Sequence, residues 1–467
     1  MTWKYCVQPA STLHLLSALC LTLSVPLSAE TSQGLDASHQ WPQWRGPEAD
    51  GVARNSNPPL SWSATDQSRE NVLWTAEIPG NSLSTPIVWG ERIFLMSSIS
   101  LDEAAFEKNE RAAAEVRESG GWPPDVAPVA QRFVVMALST QDGAVLWRHV
   151  AREAVPHESH YLDSSWSSAS PITDGERLFA FFGSNGLYAY DLDGKLLWEK
   201  DLGDQATRRG FGEGASPALL GNRLIVPWDH EGDSFVVALD AATGDEIWRT
   251  ERPGEVTTWA TPLIADDGAG GQVVLPGTGM SRGYDLASGK ELWSLAGMTV
   301  NTIPSPVVSD GLVYLASGYR GTMLQAVDLA AARERGGDLA GTPAVIWSHE
   351  KNTPYVPSVV VSDGLVYFMK HYKNILSCLD AKTGEVQYET RIEGLTSVWS
   401  SLTVAAGRLY VAGRDGTTAV IKLGPEYELL TLNELDDRVD ASPVFVGDRL
   451  YLRGRERLYA LEAGEAD

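Results

Sequence analysis

A short apolar segment of the form S-P-x-x-x-x-G-R-L-Y, followed by a Gly-containing turn and in most copies a tryptophan, recurs eight times along this chain. The fullest copies read A-L-D-A-A-T-G-D-E-I-W from Ala238 to Trp248 and G-Y-D-L-A-S-G-K-E-L-W from Gly283 to Trp293. Others run from Ala137 to Trp147 and, one residue shorter, from Ala189 to Trp198. Strand-like units repeating at a period of about 45 residues are the sequence form of a propeller blade, a small sheet that needs a neighbour to bury its faces. The starts of the innermost strands centre on Pro86, Pro171, Pro217, Pro262, Pro306, Pro357, Ser401 and Pro443, with an 85-residue first interval that must hold an insertion. The expected fold is therefore all-β, an eight-bladed β-propeller.

Turn chemistry supports the count. Asp-Gly or Gly-Asp/Asn/Glu pairs at 174–175, 221–222, 310–311, 363–364 and 447–448 suit hairpins, since glycine takes positive φ cheaply and Asp bonds its own backbone. A second turn, T-G or S-G, precedes Trp248 and Trp293, and Trp147, Trp198 and Trp347 take the same place on the outer strand. A large flat ring repeated at each seam between blades would hold neighbouring sheets in register. Tyr388 and Leu429 replace it in the sixth and seventh units. The eighth unit lacks an outer strand after Leu458-Tyr459-Ala460-Leu461, while Asn71-Val72-Leu73-Trp74 is a spare strand carrying a tryptophan. The N-terminal strand is thus expected to complete the last blade and close the ring, leaving no open edge.

Three segments follow. Residues 1–29 read as a signal peptide: Lys4, an apolar run from Leu13 to Leu27, then Ser28-Ala29 for cleavage. Residues 30–70 form an extension containing W-P-Q-W-R-G-P, expected as a strap on the propeller floor, and residues 71–467 form the propeller. An Ala-, Glu- and Arg-rich stretch at about 101–130 predicts a helical insertion in the first blade, and 330–342 lengthens the fifth; both read as surface excursions. The expected location is periplasmic or extracellular, with no transmembrane segment in the mature chain. Cys6 and Cys20 fall in the signal, leaving Cys378 as a core thiol in a chain without a disulfide framework. The net charge of −24 repels phosphate backbones and argues against nucleic acid as a partner.

Segments leading into the inner strands converge on the central channel and contribute Asn81, Trp166, Glu213, Trp259, Asn301, Tyr355, Trp399 and Asp440. These residues suit either a polar, aromatic pocket for a small ligand or a plug of the axis. His230, with Asp229, Glu231 and Asp233, is placed on the rim. No metal site is assigned. Asp191, Asp193 and Gly194 begin like a calcium loop but lack the Glu at its twelfth position, where Leu202 stands, and read as a turn. His157 and His160 beside Asp163 offer ligand atoms without a strand or helix to fix them. No G-x-S-x-G elbow occurs, and no catalytic set is assigned.

The tryptophan motif resembles the pyrroloquinoline quinone (PQQ) repeat, shared by quinoprotein alcohol dehydrogenases and the propeller lipoprotein of bacterial outer-membrane assembly. W-P-Q-W-R-G-P (Trp41–Pro47), W-D-H-E-G-D-S-F (Trp228–Phe235) and T-P-Y-V-P-S (Thr353–Ser358) are similar to secreted quinone-binding-like propellers of planctomycetes and related bacteria. The resemblance implies PQQ and Ca²⁺ as cofactors if the chain is an alcohol or sugar dehydrogenase, and an envelope protein partner if it is a scaffold. A dehydrogenase of this kind needs ion ligands, an Asp base and an aromatic plane under the quinone. Many also cap the quinone with a disulfide between adjacent cysteines, which Cys378 alone cannot form. The expected function is an exported propeller that binds a ligand or partner, with the PQQ- and calcium-dependent dehydrogenase as the alternative.

Overall fold

Each repeat folds into a four-stranded antiparallel sheet whose burial falls from the inside outward, as the computed structural model of residues 35–122, 125–370 and 372–464 shows. The expected signal segment, 1–29, lies outside the described residues. In one repeat, strand Arg223–Trp228 is buried from its second residue on, Phe235–Asp240 is buried but for its last, and Glu246–Glu251 buries only Trp248. Continuous apolar runs therefore mark the middle strands, which are covered on both faces by neighbouring sheets. Hairpins form where the sequence signals them: Asp310 and Gly311 both take positive φ, 48° and 76°, the backbone of a tight two-residue turn.

The fold is an all-β propeller. Seven sheets draw their four core strands from one continuous stretch each, beginning with Ile87–Trp89, Ile172–Thr173, Ala218–Leu220, Leu263–Ala265, Val307–Ser309, Val360–Ser362 and Thr403–Ala405. One further sheet is composite: Val444–Val446, Arg449–Arg453 and Arg457–Glu462 pair with Val72–Glu77. Trp74 stands opposite Ala460, and a register shift follows at Ala460/Leu461. The same pairing and shift occur at Trp248 opposite Ala238 and at Trp347 opposite Ala326. The strand from the N-terminal side thus takes the outer position in that sheet.

Two sets of contacts join one sheet to the next. The first uses the outer-strand indoles. Trp74, Trp147, Trp198, Trp248 and Trp347 donate from Nε1 to the carbonyls of Thr140, Leu192, Ala241, Leu286 and Ala381, at 3.0–3.1 Å. Each ring also lies on a turn glycine of the following sheet. A Cβ added to Gly143, Gly244 or Gly289 would come within 2.4–2.8 Å of the indole above it, so these turn glycines are spaces for the ring. Trp293 departs from the series: it donates to Gln272 Oε1 at 2.7 Å, and Gln272 Nε2 passes the link on to the Leu329 carbonyl.

The second set lies at the axis, where a Ser or Thr stands at the start of every inner strand. Thr85 N donates to Ser170 Oγ, Ser170 N to Ser216, Ser216 N to Thr261 and Thr261 N to Ser305. Ser305 N then donates to Ser358, Ser358 N to Ser401, Ser401 N to Ser442, and Ser442 N back to Thr85 Oγ1. These bonds of 2.9–3.1 Å form a closed cycle.

Residues 35–70 pack under this cycle. Trp41 pairs with Val88 and sets its ring edge-on to Phe445, Val52–Ala53 runs parallel to Val404–Ala405, and Ser63–Ala64 runs parallel to Glu434–Leu435. Trp62 stacks on Tyr410 at 6.3 Å. The extension is a strap across several sheets, as its tryptophans suggest. The expected insertion contains helix Glu103–Glu118, N-capped by Asp102, whose Oδ1 accepts from Ala105 N. No described helix is long and apolar enough to cross a membrane.

Removing Trp74 deletes a buried indole, its hydrogen bond and the filling above Gly143. Trp74→Ala is expected to cost about 3–5 kcal/mol, while Leu73→Ala on the exposed face of the same strand costs less than about 1 kcal/mol. Urea unfolding of the two variants checks this. Ser442→Ala leaves the buried Ser401 N–H without an acceptor and is expected to cost about 1–3 kcal/mol in the same assay.

Candidate functional site

The loops entering the inner strands enclose a funnel on the axis with a cavity of about 240 Å³, floored by the Ser/Thr cycle and by Trp44 of the strap. Six of the eight residues expected at the channel line it: Glu213, Trp259, Asn301, Tyr355, Trp399 and Asp440. The other two do not. Asn81 pairs with Ser98 through its backbone and lines a separate crevice beside Arg453. Trp166 lies behind the wall, donating to the Glu158 carbonyl and packing edge-on against His160 at 4.3 Å. Both belong to the first two repeats, and Trp166 also packs against Phe106 of the insertion. His230 is not a rim residue: it is buried, accepts from Ala206 N and sits beside the buried Arg252–Asp229 ion pair.

Aromatic residues that the repeat pattern did not flag supply much of the wall. Trp122, Tyr161 and Phe211 pack together at 5.5–5.8 Å at the mouth, and Tyr319 stacks on Tyr355 at 4.8 Å. Tyr372 completes this side. Trp122 follows the inserted helix, which packs Phe106 on Trp166. The insertion is therefore part of the cavity wall, rather than the surface excursion its composition suggests.

The polar groups are mostly engaged. Glu213 accepts from Ser184 N and Oγ at 2.7 and 2.5 Å, its carboxylate lying where a side chain at Gly183 would stand. Burial pushes this carboxyl up to about 7, against the pull of the Ser184 hydrogen bonds. Asp440 accepts from Arg414 and Arg438 at 2.6 and 2.8 Å, and burial raises it to about 6 despite those guanidiniums. Asp163 accepts from Arg117, Arg414 and Arg438, so three arginines surround two carboxylates. Arg414 also lies 4.0 Å over the Trp399 ring. Among the described residues, Asn301 Oδ1 and Trp399 Nε1 are buried without a partner.

His157, His160 and Asp163 do not assemble into a ligand set. His160 is fully buried, and burial lowers its imidazole to about 4, which keeps it neutral. Instead His157, Glu158 and Glu213 bring ligand atoms within 4.8 Å of one another. Glu158 is held there by Thr207 N and Oγ1, and Glu213 by Ser184. Asp191 Oδ1 accepts from Asp193 N and Lys195 N, confirming a turn at that position.

Indole stations, repeated sheets and an axial funnel together define a PQQ-like β-propeller. Residues 61–210, 131–390 and 339–465 match the family described as outer membrane protein assembly factor BamB, and the chain belongs to this family. It is 25% identical to a polyvinylalcohol dehydrogenase of Pseudomonas sp over 318 residues, 63% of this chain and 39% of the relative. It is 24% identical to the outer membrane protein assembly factor BamB of Yersinia pestis over 314 residues, 62% of this chain and 72% of the relative. The chain thus spans well under half of the dehydrogenase and nearly three quarters of the assembly factor. Among solved structures, BamB of Moraxella catarrhalis superposes with a TM-score of 0.52 at 16% identity, covering 80% of this chain and 99% of that one. Quinohemoprotein alcohol dehydrogenase of Comamonas testosteroni gives 0.58 at 12% identity, covering 94% and 84%. At these identities the superpositions speak for the fold.

A raised carboxyl works against stability at high pH. Glu213 starts from an ordinary value of 4.5, so the folded state binds its proton more tightly than the unfolded chain. Its contribution is fully present below about pH 4 and is lost as pH rises through about 7. Glu213→Gln should remove this slope, gaining about 1–2 kcal/mol relative to the parent between pH 5 and pH 8. Urea midpoints at the two pH values read the difference.

Proposed function

We propose that this protein is an exported propeller whose axial funnel binds a small, ring-shaped polar ligand, with the surrounding sheets as a rigid scaffold. The observation that carries the reading is an aromatic-walled cavity in which Asn301 Oδ1 and Trp399 Nε1 are buried without protein partners. Buried polar atoms are normally satisfied, and a ligand with one donor and one acceptor between the rings would satisfy these two. The cavity, about 240 Å³, lies just below the usual range of roughly 300–1,000 Å³, which favours a compact ligand over a polymer chain.

The same proposal treats the composite sheet as the eighth module of a closed ring. It is supported by the shared register of Trp74 and Trp248 and by the hydroxyl cycle running through Thr85 and Ser442. A closed ring makes the wall continuous, so the six lining residues from separate sheets keep fixed spacing. Export is part of the reading: residues 1–29 carry the features of a signal, and residues 30–70 and 71–467 are taken as strap and propeller.

A PQQ and Ca²⁺ site does not fit the donors as they stand. Both Glu213 oxygens are held by Ser184, and the Asp440 oxygens are held by Arg414 and Arg438. The arginines that would attract a quinone carboxylate, Arg414 and Arg438, already pair with both Asp163 and Asp440. An envelope protein partner, as the relatives' description suggests for them, is compatible with the scaffold, but the funnel is the cavity of ligand size in which unmet polar atoms and aromatic faces meet.

Calorimetry of the purified protein with monosaccharides, small phenols and PQQ plus Ca²⁺ tests the proposal. Binding of a compact ring ligand is expected, weakened at least about tenfold in Trp259→Ala and Trp399→Ala. Silence across the panel, with no added density in co-crystals, would overturn it. Tight PQQ retention with alcohol-dependent dye reduction would replace it with the dehydrogenase.

A further inference from the structure

Below the hydroxyl cycle the strap encloses a second, much smaller chamber of about 20 Å³, lined by Trp44 and Arg45 with Ser170, Ser216, Thr261 and Ser305. Trp44 separates it from the funnel, since its ring lines both spaces. Its polar side chains are those of Gln43, whose Nε2 donates to the Pro47 carbonyl, of Arg45 and of four hydroxyl residues, with no carboxylate among them. Each of the four hydroxyls accepts a backbone N–H of the preceding sheet and donates to no acceptor among the described residues. Their O–H hydrogens are therefore free to turn inward.

Arg45 is 1% exposed. Its Nη2 donates to the carbonyls of Asp50 at 2.7 Å and Val359 at 2.6 Å, which ties the strap to the floor of a distant sheet. Nε and Nη1 have no partner among the described residues. The adjacent carboxylate is shared: Asp50 supports the Arg45 charge from nearby but accepts its hydrogen bonds from Arg54 at 2.6 Å and from Val52 N at 2.9 Å, so one buried carboxylate serves two guanidiniums. Burial lowers the Arg45 guanidinium to about 10, which still leaves it charged at neutral pH. A buried charge with only a shared counter-ion is costly, so an arrangement of this kind gains when something of opposite sign completes it.

We propose that this chamber is a binding site for one small monovalent anion of halide size, held by Arg45 Nε and Nη1 and by the inward hydroxyls of Ser170, Ser216, Thr261 and Ser305. The donor set excludes a cation, which would find no carboxylate facing it. The volume admits one occupant near the size of a water molecule and excludes phosphate or a ligand carboxylate with its carbon chain. Bound there, the anion neutralises the strap at the point where it crosses the axis, fixing Trp44 as the floor of the funnel above.

Bromide locates the site directly. Crystals of the purified protein soaked in sodium bromide are expected to show an anomalous peak within hydrogen-bond distance of Arg45 Nε and Nη1. In solution, thermal unfolding in chloride against gluconate of equal ionic strength should show a saturable rise of roughly 2–4 °C, lost in Arg45→Gln and retained in Glu48→Gln. Non-anomalous density in the chamber, or a halide effect equal in Arg45→Gln and the parent, would refute the site. Should Arg45→Gln not fold, the bromide map on the parent protein decides alone.

Discussion

The cycle of Ser and Thr hydroxyls at the axis is the constraint on which the rest depends. A propeller brings inner strands together radially, so their first backbone N–H groups point at neighbours that have no ladder to offer. Such groups are costly when buried and unpaired. One hydroxyl at each strand start supplies the acceptor to the strand before it, from Thr85 N to Ser170 and finally from Ser442 N to Thr85. Because every member both gives and receives, no single sheet can shift along the axis without breaking two bonds. The outer indoles add a second circle at larger radius, where Trp198 on Gly244 and Trp248 on Gly289 fix the angle between neighbours. Position and angle together leave the funnel little freedom.

Rigidity at the axis explains why polar groups in the funnel keep unusual states. Glu213 is buried against Ser184, and its carboxyl rises accordingly. Asp440 is raised by the same burial although two guanidiniums touch it. Near this cluster Trp399 carries Arg414 on its face while its own Nε1 is left unpaired. A flexible site would have relaxed these strains by solvation. A preorganised one keeps them available to a ligand.

Much of this was legible in the sequence because the repeat reports on geometry directly. The period, the Gly turns and the spare strand at Trp74 each state a backbone requirement that a single residue type fulfils. The site was legible only where it inherits that period. Glu213, Trp259, Asn301, Tyr355, Trp399 and Asp440 each stand shortly before an inner strand in the regular repeats and line the funnel together. Asn81 and Trp166 sit at similar places, but Asn81 is drawn into a bridge with Ser98 and Trp166 is packed against Phe106 and His160, so position in the repeat misplaced both. Trp122, Tyr319 and Tyr372 come from loops that no period describes. The Ser or Thr before each inner strand, from Thr85 to Ser442, was a visible signal for the axial cycle, read only as part of the Ser-Pro motif.

The pairing of Val72–Glu77 with Arg457–Glu462 has a consequence for how the molecule is made. Strands that are neighbours in space emerge from the ribosome at opposite ends of synthesis, so the composite sheet cannot assemble until almost the whole polypeptide is out. Contacts of such long sequence separation slow folding and leave partly built sheets with exposed edges in the meantime.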